Sequence, residues 1–546
     1  MMKRLLIALF VLAAVLAGAF FAIGGREGVI LLAVRFMSPA VAANREVAWD
    51  EGPATPEGRG DRPNVIVILA DDLGFNDVGF YGGGRVPTPN IDRLAREGVN
   101  FPAGYAGNAT CAPSRAALMT GRYPTRFGFE FTPAPIGLAR VIGHFDSTAP
   151  VKPVYHEERE AETPPFETMG LPVTEITIAR LLRDAGYHTL HLGKWHLGET
   201  REFQPNAHGF DESLGFYSGA SLFMDPKDPE AVNAYQDFDP IDRFLWAALP
   251  YGVRWNGGDM FRPKGHMTDY LTDEAVTAIG RNRNRPFFMY LAYNAPHTPL
   301  QATKADYDAV AGIADHTERT YAAMLLSLDR NVGRVLAALK QAGIDDRTLV
   351  VFTSDNGGAH YVGIDGLNKP YRGWKASFFE GGIRVPFFMR WPGHLPAGST
   401  YGAPISHFDI FATAAGAAGV PVPADRPIDG VDLLPFLTGA RGGRPHERLF
   451  WRSGPYEVVQ AGDWKLQLTN LPPRDWLFDL KADPAERHDV AAANPEKVAE
   501  LKAMLAAFRQ EQVKPLWPAL IEAPVPLDHP LNRPWAPDDA HIYWSN

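Results

Sequence analysis

Residues 64–70 read Asn-Val-Ile-Val-Ile-Leu-Ala, a continuous β-branched run with no polar face. A strand that is apolar on both sides needs cover on both sides, which is the position of an interior strand in a parallel sheet. Further buried strands are expected at 189–192, 287–293, 349–353 and 385–390. Helical patterns alternate with them: 90–97, stopped by Gly98; 175–185, closed by Gly186; and 317–342. In the last, Tyr321, Met324, Leu325, Leu328, Val332, Val335, Leu336 and Leu339 form one stripe, read as core. This alternation predicts a layered α/β domain with a mainly parallel central sheet flanked by helices.

Two stretches, 127–172 and 201–264, break the alternation and are rich in Pro, Gly and aromatic residues, among them Phe216, Tyr217, Phe223, Tyr235, Trp246, Tyr251 and Trp255. Irregular stretches of that length in a compact domain are usually functional. They are expected to wall a substrate pocket, with ordinary loop packing the alternative for any single aromatic. After about residue 439 the texture changes to short strands at 449–451, 457–460, 465–468 and 476–479, with Gly462-Asp463 as a hairpin turn. Asn494-Pro495 opens a final helix to about residue 510. The Pro-rich tail beyond 514 is expected to wrap the surface. The division is then a large domain, 63–439, and a small C-terminal domain and tail, 440–546.

The N-terminus places Lys3-Arg4 before an uncharged apolar run from 5 to 25, the pattern of an export signal. The run matches the roughly 20 residues needed to cross a bilayer. Residues 1–45 are therefore expected as a cleaved signal or a retained membrane anchor, with Ala40-Val41-Ala42 as a late cleavage site. Residues 46–62, rich in Gly, Pro and charge, read as a linker. The expected location is extracytoplasmic, periplasmic or secreted, with the domain released or tethered. Net charge is −10 with Lys and Arg scattered, so no basic face for nucleic acid is present. A protein of this charge that acts on an anion must gather its cations locally.

Cys111 is the only cysteine, so it forms no intramolecular disulfide. It opens Cys-Ala-Pro-Ser-Arg, in which Pro113 suits a first helical turn, and small and apolar residues continue the helix to Gly121. Cys111 then lies at the positive end of a helix dipole, with Arg115 one turn on and facing the same way. That is an anion site containing a nucleophile. A buried free cysteine beside a helix start is the alternative.

Ligands of open α/β sheets bind beyond the carboxyl ends of the strands. Following the predicted strands are Asp71-Asp72; Lys194 and His196 in Gly-Lys-Trp-His-Leu-Gly; His297 in Ala-Pro-His-Thr-Pro; and Asp355-Asn356 in Ser-Asp-Asn-Gly-Gly. Lys375 precedes Glu380-Gly381-Gly382. Asp71, Asp72, Asp355 and Asn356 offer only oxygen donors, which suit Ca²⁺ or Mg²⁺ better than Zn²⁺. For Asp71-Asp72 alone, turn and cap chemistry is the alternative. Arg115, Lys194, His196, His297 and Lys375 supply cations and proton donors.

These motifs, in this order from about 64 to 390, resemble the type I sulfatases of the alkaline phosphatase superfamily. The one small departure is Ala112, where that family often has serine or threonine. The resemblance implies an alkaline-phosphatase-like large domain and a small C-terminal domain with a short antiparallel sheet and a helix. It implies hydrolysis of a sulfate monoester, arylsulfatase-like, of a small molecule or saccharide. It further implies oxidation of Cys111 to formylglycine by a formylglycine-generating enzyme, and a calcium ion, with Mg²⁺ the alternative, held by Asp71, Asp72, Asp355, Asn356 and modified Cys111. Arg115 would favour the ionised nucleophile. Lys194, His297 and Lys375 would bind the sulfate, His297 or Lys375 would protonate the leaving alcohol, and His196 would act as the base that expels sulfate. A phosphate or phosphonate ester hydrolase of the same superfamily is the rival, although its two-metal members typically place histidine where this chain has Asn356. An inactive sulfate-binding relative is a more distant one.

Overall fold

The computed structural model describes residues 39–56, 60–143 and 150–546. The apolar run expected as signal or anchor lies outside the described residues. Among the described residues, no helix is long and apolar enough to cross a membrane.

The central sheet has nine strands: β1 (Asn64–Ala70), β2 (Val99–Asn100), β3 (His188–Lys194), β4 (Glu212–Phe216), β5 (Arg254–Trp255), β6 (Phe287–Ala292), β7 (Thr348–Ser354), β8 (Phe387–Arg390) and β9 (Ser399–Thr400). Their order is β9-β2-β8-β7-β1-β6-β3-β4-β5. The middle of the sheet, from β7 to β4, is parallel, with Val67 opposite Val351 on one side and Tyr290 on the other. β8 and β5 are antiparallel additions.

Because side chains alternate along a strand, β1 feeds two cores. Ile66 and Ile68 join one, under helices α1 (Pro89–Arg96), α4 (Met267–Asn282) and α5 (His316–Gln341). Val65, Val67 and Leu69 join the other, under α2 (Cys111–Thr120), α3 (Ile178–Asp184) and α6 (Phe408–Ala418). All five side chains are fully buried, each contributing about 1.5–3 kcal/mol of transfer free energy.

β4 falls within a stretch that the sequence presents as irregular. Its middle holds Gly215, where an added Cβ would stand 1.9 Å from the Gly193 carbonyl oxygen of β3. The close approach demands glycine, and glycine erases the apolar run that marks a strand. Residues 46–62 do not behave throughout as a linker. Trp49 is 2% exposed, and its Nε1 donates to Glu274 Oε2 at 2.8 Å, so the first part of the segment is docked on the large domain.

The C-terminal sheet is β10 (Arg448–Ser453), β11 (Tyr456–Ala461), β12 (Trp464–Asn470) and β13 (Pro473–Asp479), all antiparallel. Its Gly462-Asp463 turn has Gly462 at φ 58°. α7 (Pro495–Gln510) packs against it. The tail beyond 514 does more than wrap the surface. Its segments Ile521–Pro526 and His541–Ser545 pair antiparallel, and Val154–Tyr155 joins them. Only Ile521 and Glu522 meet that third strand, so Pro524 and Pro526 interrupt no ladder on that side. Between the two tail strands, Leu527 O accepts from Gly373 N, Asp528 pairs with Arg372, and Leu531 N donates to His360 O.

Candidate active site

α2 begins at Cys111 with Thr110 as N-cap residue and ends at Gly121, whose φ of 69° is the left-handed cap that glycine adopts without strain. Cys111 is 3% exposed. Its Sγ lies 3.6 Å from Asp71 Oδ1, 3.9 Å from Asp72 Oδ1 and 3.2 Å from Lys375 Nζ. One ligating atom from each of Asp71, Asp72, Cys111 and His297 can be chosen so that all lie within 4.8 Å of one another. The thiol and the two aspartate-bearing strand ends converge.

β7 lies beside β1, so the turn after it brings Asp355 and Asn356 to the same place. Asp72 N donates to Asp355 Oδ1 at 3.2 Å, and Asn356 Nδ2 donates to Asp72 Oδ1 at 2.7 Å. Asn356 Oδ1 is buried with no partner.

Each carboxylate has a cation. Arg115, fully buried, places Nη2 2.8 Å from Asp355 Oδ2 and 3.5 Å from Asp71 Oδ1. Lys194, at the end of β3, places Nζ 2.6 Å from Asp71 Oδ2. Lys375 Nζ lies 2.8 Å from Asp72 Oδ1 and 3.4 Å from His297 Nε2. The three cations therefore balance Asp71, Asp72 and Asp355, and any divalent cation bound there leaves an excess positive charge for an anionic ester.

The titration of these groups follows from burial and partners. Burial, with Asp355 alongside, pushes the Asp71 carboxyl well above its ordinary range. Burial acts the same way on Asp355, but Arg115, Lys194 and Lys375 overcome it and hold that carboxyl down. Burial disfavours the Lys375 ammonium, yet Asp72 more than offsets this, so it stays protonated. Burial, then Lys194 and Arg115, keep His196 neutral, its pKa well below the usual value. His297 is lowered by burial, with Asp72 opposing.

The His196 backbone N–H donates to Tyr217 O at 3.1 Å, and the ring Nδ1 is buried with no partner. It stands at the edge of the cluster, within electrostatic reach of Lys194, Arg115, Lys375 and Asp355. Among the described residues, five other than glycine have positive φ, and three of them are Asp72 at 60°, His196 at 58° and Ala376, next to Lys375, at 65°. Each conformation costs about 1–3 kcal/mol. The strain lies where side chains must be aimed.

Every residue expected at the site thus lies in or beside one cluster. Two partners went unread. Tyr361 Oη donates to Asp72 Oδ2 at 2.8 Å and accepts from Lys375 Nζ at 2.9 Å. Tyr290 Oη, on β6, is 3.4 Å from Arg115 Nη1. Tyr361 sits on a short 3₁₀ turn with no periodicity, and Tyr290 reads as one more core aromatic in a buried strand.

A sulfatase family model matches residues 63–420. Human N-acetylgalactosamine-6-sulfatase is 32% identical over 517 residues, covering 87% of this chain and 90% of its own length. Mouse steryl-sulfatase is 36% identical over 495 residues, covering 80% of this chain and 73% of its own. Among solved structures, Ps i-CgsB in complex with k-i-k-neocarrahexaose superimposes with a TM-score of 0.69 at 33% identity, over 84% of this chain and 94% of that one. The PsFucS1 sulfatase from Pseudoalteromonas sp. does so with 0.64 at 26% identity, over 83% and 91%. With Cys111 and its acidic and cationic neighbours gathered as described, this chain belongs to the sulfatase family.

Proposed function

We propose that this sulfatase cleaves the sulfate monoester of a ring alcohol or phenol outside the cytoplasm, using formylglycine made from Cys111 and a bound calcium ion. Residues 63–439 would form the catalytic domain and 440–546 the accessory one. The observation that carries the reading is the approach of Cys111 Sγ to Asp71, Asp72 and Lys375 together.

The donor set fits a hard cation. Asp71, Asp72 and Asp355 contribute carboxylate oxygens, and Asn356 Oδ1 is a buried acceptor left without a donor, which is costly unless something fills it. These residues would hold calcium, with Mg²⁺ the alternative; when bound it supplies Lewis-acid stabilisation of the developing charge. Formylglycine, as its hydrate, supplies a hydroxyl nucleophile and a second hydroxyl for release of sulfate, which a thiol lacks.

The remaining work falls to this chain's own side chains. Arg115, fixed by Asp355, keeps positive charge beneath position 111 and favours an ionised oxygen there. Lys194 and Lys375 offer N–H donors to sulfate oxygens. Lys375, kept protonated by Asp72, stands 3.4 Å from His297 Nε2, so this pair can deliver a proton to the leaving oxygen. His196, neutral, can take a proton. A relative solved with k-i-k-neocarrahexaose and one named N-acetylgalactosamine-6-sulfatase support a saccharide or similar ring as the alcohol.

The test is hydrolysis of 4-nitrophenyl sulfate with and without chelator, alongside the mass of the peptide containing residue 111. Chelator-sensitive turnover and an aldehyde mass at that position are expected. Full activity with an unaltered thiol would overturn the reading.

A further inference from the structure

The residues on the leaving-group side of the cluster, His297, Lys375 and Tyr361, are spanned by one short segment, 235–238. Two tethers place it. The strand Ala231–Ala234 pairs antiparallel with Leu300–Thr303, and Ala234 opposite Leu300 sets Tyr235 beside the turn that follows His297. At the other end Gln236 Nε2 donates to Val362 O at 2.7 Å, next to Tyr361, and the Phe238 ring lies against Gly363. The segment therefore runs from the His297 turn to the Tyr361 turn.

Its aromatic side chains are not buried by this chain. Tyr235 is 57% exposed and Phe238 38% exposed, among the few large apolar side chains in that state. Tyr235 packs on the half-buried Trp246, ring centroids 4.4 Å apart, and Trp246 is locked by donating Nε1 to Asp242 Oδ2 at 2.9 Å. The ledge is thus aromatic and open, and tethered to the chain on either side of the cluster, after His297 and beside Tyr361. Its charge is also informative. Residues 225–243 present four exposed or half-buried acids (Asp225, Asp228, Glu230, Asp237) against two bases (Lys227, Arg243), Asp239 and Asp242 being buried. A polysulfated chain laid across it would meet like charge.

We propose that Tyr235, Phe238 and Trp246 form the subsite for the alcohol half of the ester, and that this subsite takes an uncharged ring whose C–H face stacks on the aromatics. This rests on the reading of the cluster as the sulfate-ester site. Sugars and fused apolar rings share the required face; a ring bearing further sulfates does not fit.

The experiment compares kcat/KM for a monosulfated neutral disaccharide, a naphthyl sulfate, a polysulfated disaccharide and 4-nitrophenyl sulfate. In wild type the monosulfated and naphthyl esters are expected to be preferred over the polysulfated one. In Tyr235→Ala/Phe238→Ala that preference should fall about tenfold, with Tyr235→Phe retaining it and Val422→Ala, exposed elsewhere, leaving it unchanged. Calorimetric binding of the unsulfated disaccharide and of naphthol to resting enzyme should weaken by a similar factor, and these two arms identify the ring as sugar or fused aromatic. Equal loss on all esters, no loss, or preference for the polysulfated ester would overturn the proposal. Absence of hydrolysis of every sulfate ester overturns the functional reading instead, while ring binding still reports on the ledge.

Discussion

Two clusters of buried charge sit at opposite ends of the segment 375–380. One is the cluster around Cys111, Asp71, Asp72 and Asp355. In the other, Lys465 Nζ of β12 bridges Glu380 Oε1 at 2.8 Å and Glu486 Oε1 at 3.0 Å, all three fully buried. Tyr105 Oη and Arg384 donate to Glu380 Oε2, and Gln467 Nε2 donates to Glu486. The second cluster is saturated: each carboxylate oxygen has a donor. The first keeps an orphaned amide oxygen and a thiol among carboxylates. Saturation fastens the C-terminal sheet to the Lys375 segment; incompleteness leaves room for a ligand. The same residue types, differing in what they leave unpaired, serve cohesion in one place and chemistry in the other.

The sharpest break between them comes from Cys111→Ala. Turnover should fall by at least about ten-thousandfold with the melting temperature preserved, because removal of a nucleophile deletes the pathway and little packing. Lys465→Met should do the reverse, costing about 3–5 kcal/mol by stranding two buried carboxylates, read by denaturant unfolding. Third, pH should separate them. Burial, opposed by Lys465, pushes Glu486 from its ordinary 4.5 up to about 7. A raised carboxyl pKa means the folded state holds the proton more tightly. The associated stability is complete below about pH 4.5 and is lost as pH rises through about 7, by up to about 1.4 kcal/mol per unit. Glu486→Gln should flatten that slope in pH-dependent melting. Asn356→Ala should weaken calcium binding about tenfold or more, measured by calorimetry, with stability little changed. The smallest effect is expected for Tyr361→Phe, a three- to tenfold loss in kcat, greater for poor leaving groups because the lost contact positions Lys375.

β1, β3, β6 and β7 were legible because a strand covered on both faces can carry little but apolar residues. The residues that gather around Cys111 were legible as candidates because polar side chains at the ends of such strands stand out against them. β4 was hidden by Gly215, required for close approach to β3. The first tail strand was hidden by prolines, tolerated on the side where the third strand does not reach them. Tyr361 and the partnership of Lys465 with Glu380 depend on contacts between segments distant in sequence, and no local pattern encodes them. Trp49 was misread with its surroundings because Gly, Pro and charge dominate the window around one anchoring ring.

The segment 527–533, which fastens Arg372, Gly373 and His360, is synthesised after every residue of the cluster. During translation the wall that carries Tyr361 and Lys375 thus lacks this one set of ties, to Arg372, Gly373 and His360, until the final part of the chain emerges. Cys111 is 3% exposed in the finished molecule, so the modification proposed at this position would have to precede closure, and the timing of closure would set how many copies mature.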